Sequence, residues 1–162
     1  MDLTYRLTAW MLVAGGKAKE LAGAEALCRE AVRSGKALEL FERNVRRQGG
    51  DLIRMRELYG TYRSSSRRSL RAPVSGYITS IDAFKIGLAG VYLGVGRNKT
   101  VDPVHPDVGF IFKAKKGARL DRGAEIAEVY GKDEASLDAA WPLIEQSLAM
   151  GDGAPAETVT VL

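Results

Sequence analysis

The fold is decided by residues 72–82, which read Ala-Pro-Val-Ser-Gly-Tyr-Ile-Thr-Ser-Ile-Asp. Pro73 and Gly76 are turn residues, and the β-branched run from Tyr77 to Ile81 is typical of a strand. Asp82 is a favourable N-cap for the apolar helical series that follows it. Before this stretch the apolar residues follow the helical period, whereas strand patterns appear after it. The sequence therefore predicts an α+β fold with helices first and a mixed α+β part second.

Three short helices are predicted within residues 1–50. Apolar residues recur at helical spacing from Leu3, from Leu21 and from Ala37. Each series ends at a glycine stop: Gly15-Gly16, Ser34-Gly35 and Gly49-Gly50. The apolar face of the first helix consists of Leu3, Leu7, Trp10, Met11 and Ala14. Helices of this length depend on tertiary packing, so we expect this segment to pack against another part of a protein.

Residues 51–71 are predicted to be a basic linker, because they are polar and lack periodicity. Nine arginines lie between Arg43 and Arg71 against only Asp51 and Glu57, a local charge of +7 in a chain of net charge +4. Such a cluster attracts phosphate-rich partners, although a charge run is more often a solvated face. No nucleic-acid-binding motif accompanies it, so nucleic acid is not expected as a partner.

Residues 72–162 are predicted to form the α+β domain. Strands are expected at residues 108–112 and 125–130, with an edge strand at 158–162. A final amphipathic helix begins at an Asp133 cap, and we place Pro142 near its first turns or at a kink. Glycines at positions 87, 90 and 94 of the helix after Asp82 indicate close packing of its backbone.

The composition excludes several classes of protein. The chain has 162 residues, of which 46% are hydrophobic and 27% charged, as in an ordinary globular domain. Cys28 is the only cysteine and His105 the only histidine, which excludes an internal disulfide and the usual zinc sites. No apolar run is long enough to cross a membrane, and no secretory pattern is recognised. We expect a cytoplasmic protein with neither metal nor cofactor.

Gly94-Val95-Gly96, followed by Arg97 and Lys99, resembles a phosphate-binding loop. The third glycine of the dinucleotide fingerprint and the Gly-Lys-Ser/Thr ending of the P-loop are absent, and the segment follows a helix rather than a strand. The alternative interpretation is a helix C-cap followed by a solvated loop.

Other candidate residues also have structural interpretations. His105 lies between Asp102 and Asp107 and could serve as a general base, although no nucleophile accompanies it and a loop-packing role is the alternative. Cys28 lies at helical spacing among alanines, which predicts a small core residue. Four carboxylates have no apolar setting that would raise a pKa, and we interpret them as surface groups: Glu125, Glu128, Asp133 and Glu134.

Lys132 suggests a different function. Residues 72–76 and 116–126 begin two short β-rich halves, each with its own glycine turn. Together they are similar to biotinyl and lipoyl carrier domains, in which a modified lysine lies on an exposed hairpin tip. The corresponding stretch here is residues 129–133, which contains Lys132 but not the neighbours typical of such carriers.

Taken in order, many of these segments resemble the C-terminal portion of the pyrimidine-nucleoside phosphorylases, the thymidine phosphorylase family. The resemblance covers nearly the whole chain apart from residues 52–70. The matching segments are Asp2-Leu3, Trp10-Met11-Leu12, Ser34-Gly35-Lys36-Ala37-Leu38-Glu39, Phe41, Gln48-Gly49-Gly50-Asp51, Ala72-Pro73, Ser75-Gly76-Tyr77, Ile81-Asp82-Ala83, Gly94-Val95-Gly96-Arg97, Val101-Asp102-Pro103, Val108-Gly109, Lys116-Gly117 and Arg122-Gly123.

The resemblance implies phosphate-dependent cleavage of a pyrimidine nucleoside to base and pentose 1-phosphate. It implies that residues 1–50 are helices of the family's α/β domain, that residues 51–71 are a linker, and that residues 72–162 form a C-terminal α+β domain of hairpin-sandwich type. The family's phosphate- and base-binding motifs do not occur in this sequence, so no catalytic residue is carried over.

Three hypotheses follow. The first is a phosphorylase C-terminal portion, with phosphate as co-substrate, that is inactive without the rest of the enzyme. Its partner would be the remaining phosphorylase portion or a second copy of the chain, and the nucleoside could be thymidine, uridine or deoxyuridine. The second is a binding or scaffold module that uses residues 43–71, and the third is a carrier domain modified at Lys132.

Overall fold

The computed structural model describes residues 1–97 and 99–156, and the chain divides into two compact units. The first comprises Met1–Tyr59, and the second begins at Gly60. The helices are α1 (Asp2–Ala14), α2 (Leu21–Arg33), α3 (Lys36–Arg47), α4 (Leu52–Leu58), α5 (Ala83–Leu93) and α6 (Glu134–Gln146). The strands are β1 (Arg67–Arg71), β2 (Gly76–Ile81), β3 (Gly109–Phe112), β4 (Arg119–Leu120), β5 (Glu125–Tyr130) and β6 (Leu148–Gly151). The predicted α+β class is confirmed, and the predicted strand at 158–162 lies outside the described residues.

The first unit is a set of four helices with very little core. The three predicted helices and their glycine stops are confirmed, and α1 ends where Gly15 N–H donates to Met11 O at 2.9 Å. Its buried apolar residues within the described chain are Ala9, Ala24, Cys28 and Leu52. Three of these side chains are small, so burial of apolar surface stabilises this unit only weakly.

The predicted apolar face of α1 is exposed rather than packed. Leu3, Leu7, Trp10 and Met11 remain 53, 46, 47 and 72% exposed, respectively. The helix packs on α2 through its opposite side, where Ala9 is buried. The periodicity therefore predicts the helix correctly, but the stripe that defines it finds no partner among the described residues of this unit.

The predicted linker 51–71 contains regular structure, which corrects the sequence prediction. Asp51 caps α4 by accepting hydrogen bonds from the N–H groups of Ile53 and Arg54 at 2.8 and 3.0 Å. Strand β1 lies at the other end of the segment and pairs with β5. Leu70 is the only apolar residue of β1, and its partner strand is about sixty residues away, so the local pattern gave no strand signal.

The second unit contains two three-stranded antiparallel sheets, ordered β1-β5-β3 and β4-β2-β6. Every pairing joins strands that are not neighbours along the described chain, so the odd-numbered strands form one sheet and the even-numbered strands the other. The sheets and the helices α5 and α6 enclose a single core. Its fully buried large side chains are Ile78, Leu93, Ile126, Val129, Leu137 and Ile144.

Side-chain caps fix the starts of α5 and α6. Asp82 accepts hydrogen bonds from the N–H groups of Phe84 and Lys85, as predicted. Asp133 and Ser136 form a capping box at the start of α6. Pro142 lies inside α6, beyond its middle, so of the two predicted placements the first turns are wrong, and the kink stays a prediction. The helix continues past the proline because Leu137 and Ile144 on either side are fully buried in the core.

The three glycines of α5 differ in their surroundings. A Cβ on Gly87 would meet nothing within 4 Å, so close packing there was predicted wrongly. A Cβ on Gly90 would be in ordinary contact with Val95 and Phe110. Gly94 has a φ of +107°, and a Cβ there would lie 3.1 Å from His105 Cδ2. The close approach is therefore at Gly94, where the helix ends.

Substitution of these glycines by alanine should have opposite effects on stability. We expect Gly87→Ala to stabilise the protein by about 0.5–1 kcal/mol, because the site is open and helical. Gly94→Ala should destabilise it by about 1–3 kcal/mol, because an L-residue is strained at this φ and the methyl group would press on His105. Urea unfolding of the two variants beside the wild type measures both effects. Equal stabilities of the two variants would contradict the difference described.

Candidate functional site

A cavity of the second unit lies between the end of α5 and the start of α6. It has a volume of about 430 Å³. Its lining includes Tyr92, Gly94, Gly96, His105, Lys132 and Ser136. The cavity thus brings together the glycine loop, the single histidine and the lysine that the sequence singles out separately.

Backbone hydrogen bonds to the last turns of α5 assemble this cavity. The N–H groups of Gly94 and Val95 donate to Gly90 O at 3.1 and 2.9 Å, which closes the helix. His105 N–H donates to Gly94 O at 2.9 Å, and Lys132 N–H donates to Leu93 O at 3.1 Å. The loop and the β5–α6 junction are therefore both held at the C-terminal end of α5.

The glycine loop has the geometry of a helix C-cap. Gly94 is the left-handed cap residue of α5, and the half-buried His105 packs against it. The Asp102 carboxylate accepts a hydrogen bond from Lys99 N–H at 2.8 Å, within the loop itself. These contacts favour the C-cap and loop-packing interpretations of Gly94-Val95-Gly96 and His105 over the phosphate-loop and general-base interpretations.

The start of α6 already holds an anion of its own. The Asp133 carboxylate accepts from Ser136 N–H at 2.7 Å, and Ser136 Oγ donates to Asp133 O at 2.6 Å. This carboxylate occupies the position in which a bound anion would meet the positive end of the helix. The cavity therefore carries charges of both signs and no arrangement of nucleophile, base and oxyanion donors.

The structure does not place Lys132 on a hairpin tip. It lies in the junction between β5 and α6, with its backbone tied to α5, and its side chain is exposed. The geometry expected of a carrier lysine is therefore not found, which corrects the placement on which that alternative depends.

Cys28 is buried in α2, as predicted for a small core residue. Among the residues that the structure describes, no three His, Cys, Asp or Glu side chains come together as a metal site would require.

A bulge in β5 gathers a charged network on one face of the β1-β5-β3 sheet. Leu70 pairs with Ala127 and Arg71 with Glu125, which leaves Ile126 as an extra residue. Ile126 and Ala127 are consequently both buried. Glu125 and Glu128 share the other face, where Lys113 Nζ donates hydrogen bonds to both carboxylates.

Glu128 is the centre of this network. It accepts from Lys113 Nζ at 2.8 Å and from Tyr130 Oη at 2.7 Å. Arg63 Nη1 lies 3.7 Å from Glu128 Oε2, and Arg67 Nη1 lies 3.8 Å from Glu128 Oε1. The hydrogen bond from Lys113, followed by that from Tyr130, lowers the pKa of Glu128 to about 2.

The sequence predicted four surface carboxylates, and this holds for Asp133 and Glu134 but not for Glu125, whose side chain is 23% exposed, or for Glu128. The Glu128 side chain is only 13% exposed, whereas Asp133 and Glu134 lie in exposed positions. A bulge and the contacts across three strands create this burial, and neither is visible in the local sequence.

Most arginines of residues 43–71 have partners within the protein. Six of the nine form ion pairs: Arg46, Arg54, Arg56, Arg63, Arg67 and Arg68. Arg71 donates to Gly123 O at 3.0 Å. Only Arg43 and Arg47 have no partner among the described residues. Most arginines of the segment are thus engaged by other groups of the protein, and the binding or scaffold module that uses residues 43–71 stays a prediction.

A family model gives the decisive comparison. Residues 77–151 match the model of the pyrimidine nucleoside phosphorylase C-terminal domain. These residues, slightly less than half of the chain, are therefore similar to the C-terminal domain of pyrimidine nucleoside phosphorylases. The match begins one residue into β2 and ends with β6, so it contains both helices of the second unit and the whole lining of the α5–α6 cavity. The predicted resemblance to this family is confirmed.

The matched phosphorylase domain does not include the helical unit or β1. Within the second unit, the charged network joins residues that precede the match to residues inside it, because Arg63 and Arg67 precede position 77 and Glu128 follows it. None of the described helices is long and apolar enough to cross a membrane.

Removing the charge of Glu128 should change the acid stability of the second unit. Its pKa falls from an ordinary 4.5 to about 2 on folding, so the ionised carboxylate stabilises the folded state above pH 4.5. This contribution is lost as the pH falls toward 2. We therefore expect Glu128→Gln to be less stable than the wild type at pH 7 and to approach it near pH 2.

Thermal unfolding between pH 2 and 7 measures this difference. A Trp10→Phe background leaves Trp141 of α6 as the only tryptophan, so its fluorescence reports on the second unit alone. Asp121→Asn, at an exposed turn position, is the matched control and should leave the difference from wild type constant with pH. If the stability of Glu128→Gln and that of the wild type changed in parallel from pH 2 to 7, the network would not lower the pKa of Glu128 on folding.

Proposed function

We propose that this chain is the C-terminal portion of a pyrimidine nucleoside phosphorylase and takes part in phosphorolysis only together with the rest of that enzyme. The reaction would transfer the pentose of a pyrimidine nucleoside to phosphate and release the base. The match of residues 77–151 to the family's C-terminal domain carries this proposal.

The helical unit supports the dependence on another polypeptide portion. Its apolar stripe on α1 is exposed over Leu3, Leu7, Trp10 and Met11. Soluble proteins seldom leave such a contiguous apolar stripe uncovered unless it is an interaction site. The remaining phosphorylase portion is the partner that we propose for this stripe.

The described side chains also support inactivity of the chain alone. Cleavage of an N-glycosidic bond by phosphate needs donors and cations preorganised around the developing charges, and this electrostatic stabilisation is usually the largest contribution to catalysis. The α5–α6 cavity offers Lys132 and His105, but Asp102 and Asp133 line it as well. We place phosphate and nucleoside binding outside this chain, and we place the activity in the cytoplasm.

Phosphorolysis assays of the purified chain test the proposal. The chain is mixed with the N-terminal portion of a pyrimidine nucleoside phosphorylase, and release of uracil and thymine from uridine and thymidine is followed with and without phosphate. We expect no release by either polypeptide alone and phosphate-dependent release by the mixture.

Two controls decide the result. A complete phosphorylase of the family shows that the assay works, and circular dichroism shows that the chain is folded. Release by this chain alone would contradict the proposed division of labour, and a stable mixture without release would contradict the proposed role in catalysis.

A further inference from the structure

The outer face of α3 combines exposed apolar groups with two arginines that have no partner among the described residues. It forms a shallow depression of about 470 Å³. Its residues are Ala37, Leu40, Phe41, Arg43, Asn44 and Arg47. They recur at intervals of three and four, so they share one side of the helix.

The opposite side of α3 carries the ion pairs that join this helix to the rest of the helical unit. Glu42, whose side chain is only 15% exposed, pairs with Arg46 of the same helix and Arg56 of α4. Val45 beside it is half-buried. This side thus makes polar contacts within the unit, although Leu38 on it is 60% exposed. Leu40 and Phe41 on the outer face remain 56 and 50% exposed.

The charge on this face is what distinguishes it. Arg43 and Arg47 lie one turn apart, and they are the two arginines of residues 43–71 without a partner among the described residues. The unneutralised part of the basic segment thus coincides with exposed leucine and phenylalanine side chains. A surface of this kind is complementary to one that presents carboxylates beside apolar groups.

We propose that the outer face of α3 docks an acidic and apolar surface of the remaining phosphorylase portion. The identity of this partner rests on the proposed function, whereas its chemistry follows from the charge and exposure of the face. A second copy of the chain does not fit, because two such faces would bring four arginines together. Nucleic acid does not fit either, since two cations flanking apolar side chains provide few phosphate contacts.

Binding measurements test this docking face separately from activity. The chain is titrated against the phosphorylase N-terminal portion at low and high salt. Reversing both charges, Arg43→Glu with Arg47→Glu, should weaken binding by about tenfold or more, because facing carboxylates would then be repelled. Raising the ionic strength should weaken wild-type binding and have a much smaller effect on this variant.

Lys17→Glu with Lys19→Glu is the matched control, since both lysines are exposed in the α1–α2 loop of the same unit and the net charge changes by the same amount. It should bind within about twofold of the wild type. Circular dichroism confirms that each variant is folded, and Phe41→Ser should also weaken binding if the apolar part of the face is used. Anionic phospholipid vesicles and single-stranded DNA are tested in parallel and should not bind.

The outcomes separate the two proposals. Equal binding by the wild type and the charge-reversed variant, or no binding by the wild type, would overturn the docking face. Binding that depends on Arg43 and Arg47 without phosphorolysis would support the docking face and contradict the proposed function. Retention on vesicles or DNA that depends on these arginines would overturn the choice of an acidic protein surface.

Discussion

Strand β5 is the element on which the second unit depends. It pairs with β1 on one side and β3 on the other, and its bulge turns Ile126 and Ala127 into the core together. The same bulge brings Glu125 and Glu128 onto the opposite face, around Lys113. One irregularity in one strand therefore shapes the apolar core and the charged network. This explains why β1, which precedes the matched phosphorylase domain, is held firmly to it.

The two units differ in how far they can stabilise themselves. The second unit buries large side chains from both sheets and from α5 and α6. The helical unit buries one large side chain, Leu52, with Ala9, Ala24 and Cys28, and leaves the α1 stripe and the outer face of α3 uncovered within the described chain. An underpacked helical unit with an exposed apolar stripe is what the proposed dependence on a remaining phosphorylase portion requires.

Patterns that are local in sequence predicted local structure well. The apolar period and glycine stops located α1 to α3, and Asp82 and Asp133 marked the starts of α5 and α6. Features that depend on distant contacts were missed or misplaced. Strand β1 has a single inward apolar residue, the burial of Glu128 needs a bulge and three strands, and the surroundings of Gly87 depend on its neighbours in space. The cavity beside α5 joins segments separated by about forty residues, so its candidate residues could be named but not brought together.

Amide hydrogen exchange of the isolated chain most directly tests the claim that the helical unit relies on a partner. Amides of β5 and of the buried side of α6 should exchange most slowly, with protection approaching the global stability of the second unit. Amides of α1 to α4 should exchange much faster, because these helices bury few large side chains. Equal protection of the two units would contradict this account and would show that residues 1–59 form a self-sufficient domain.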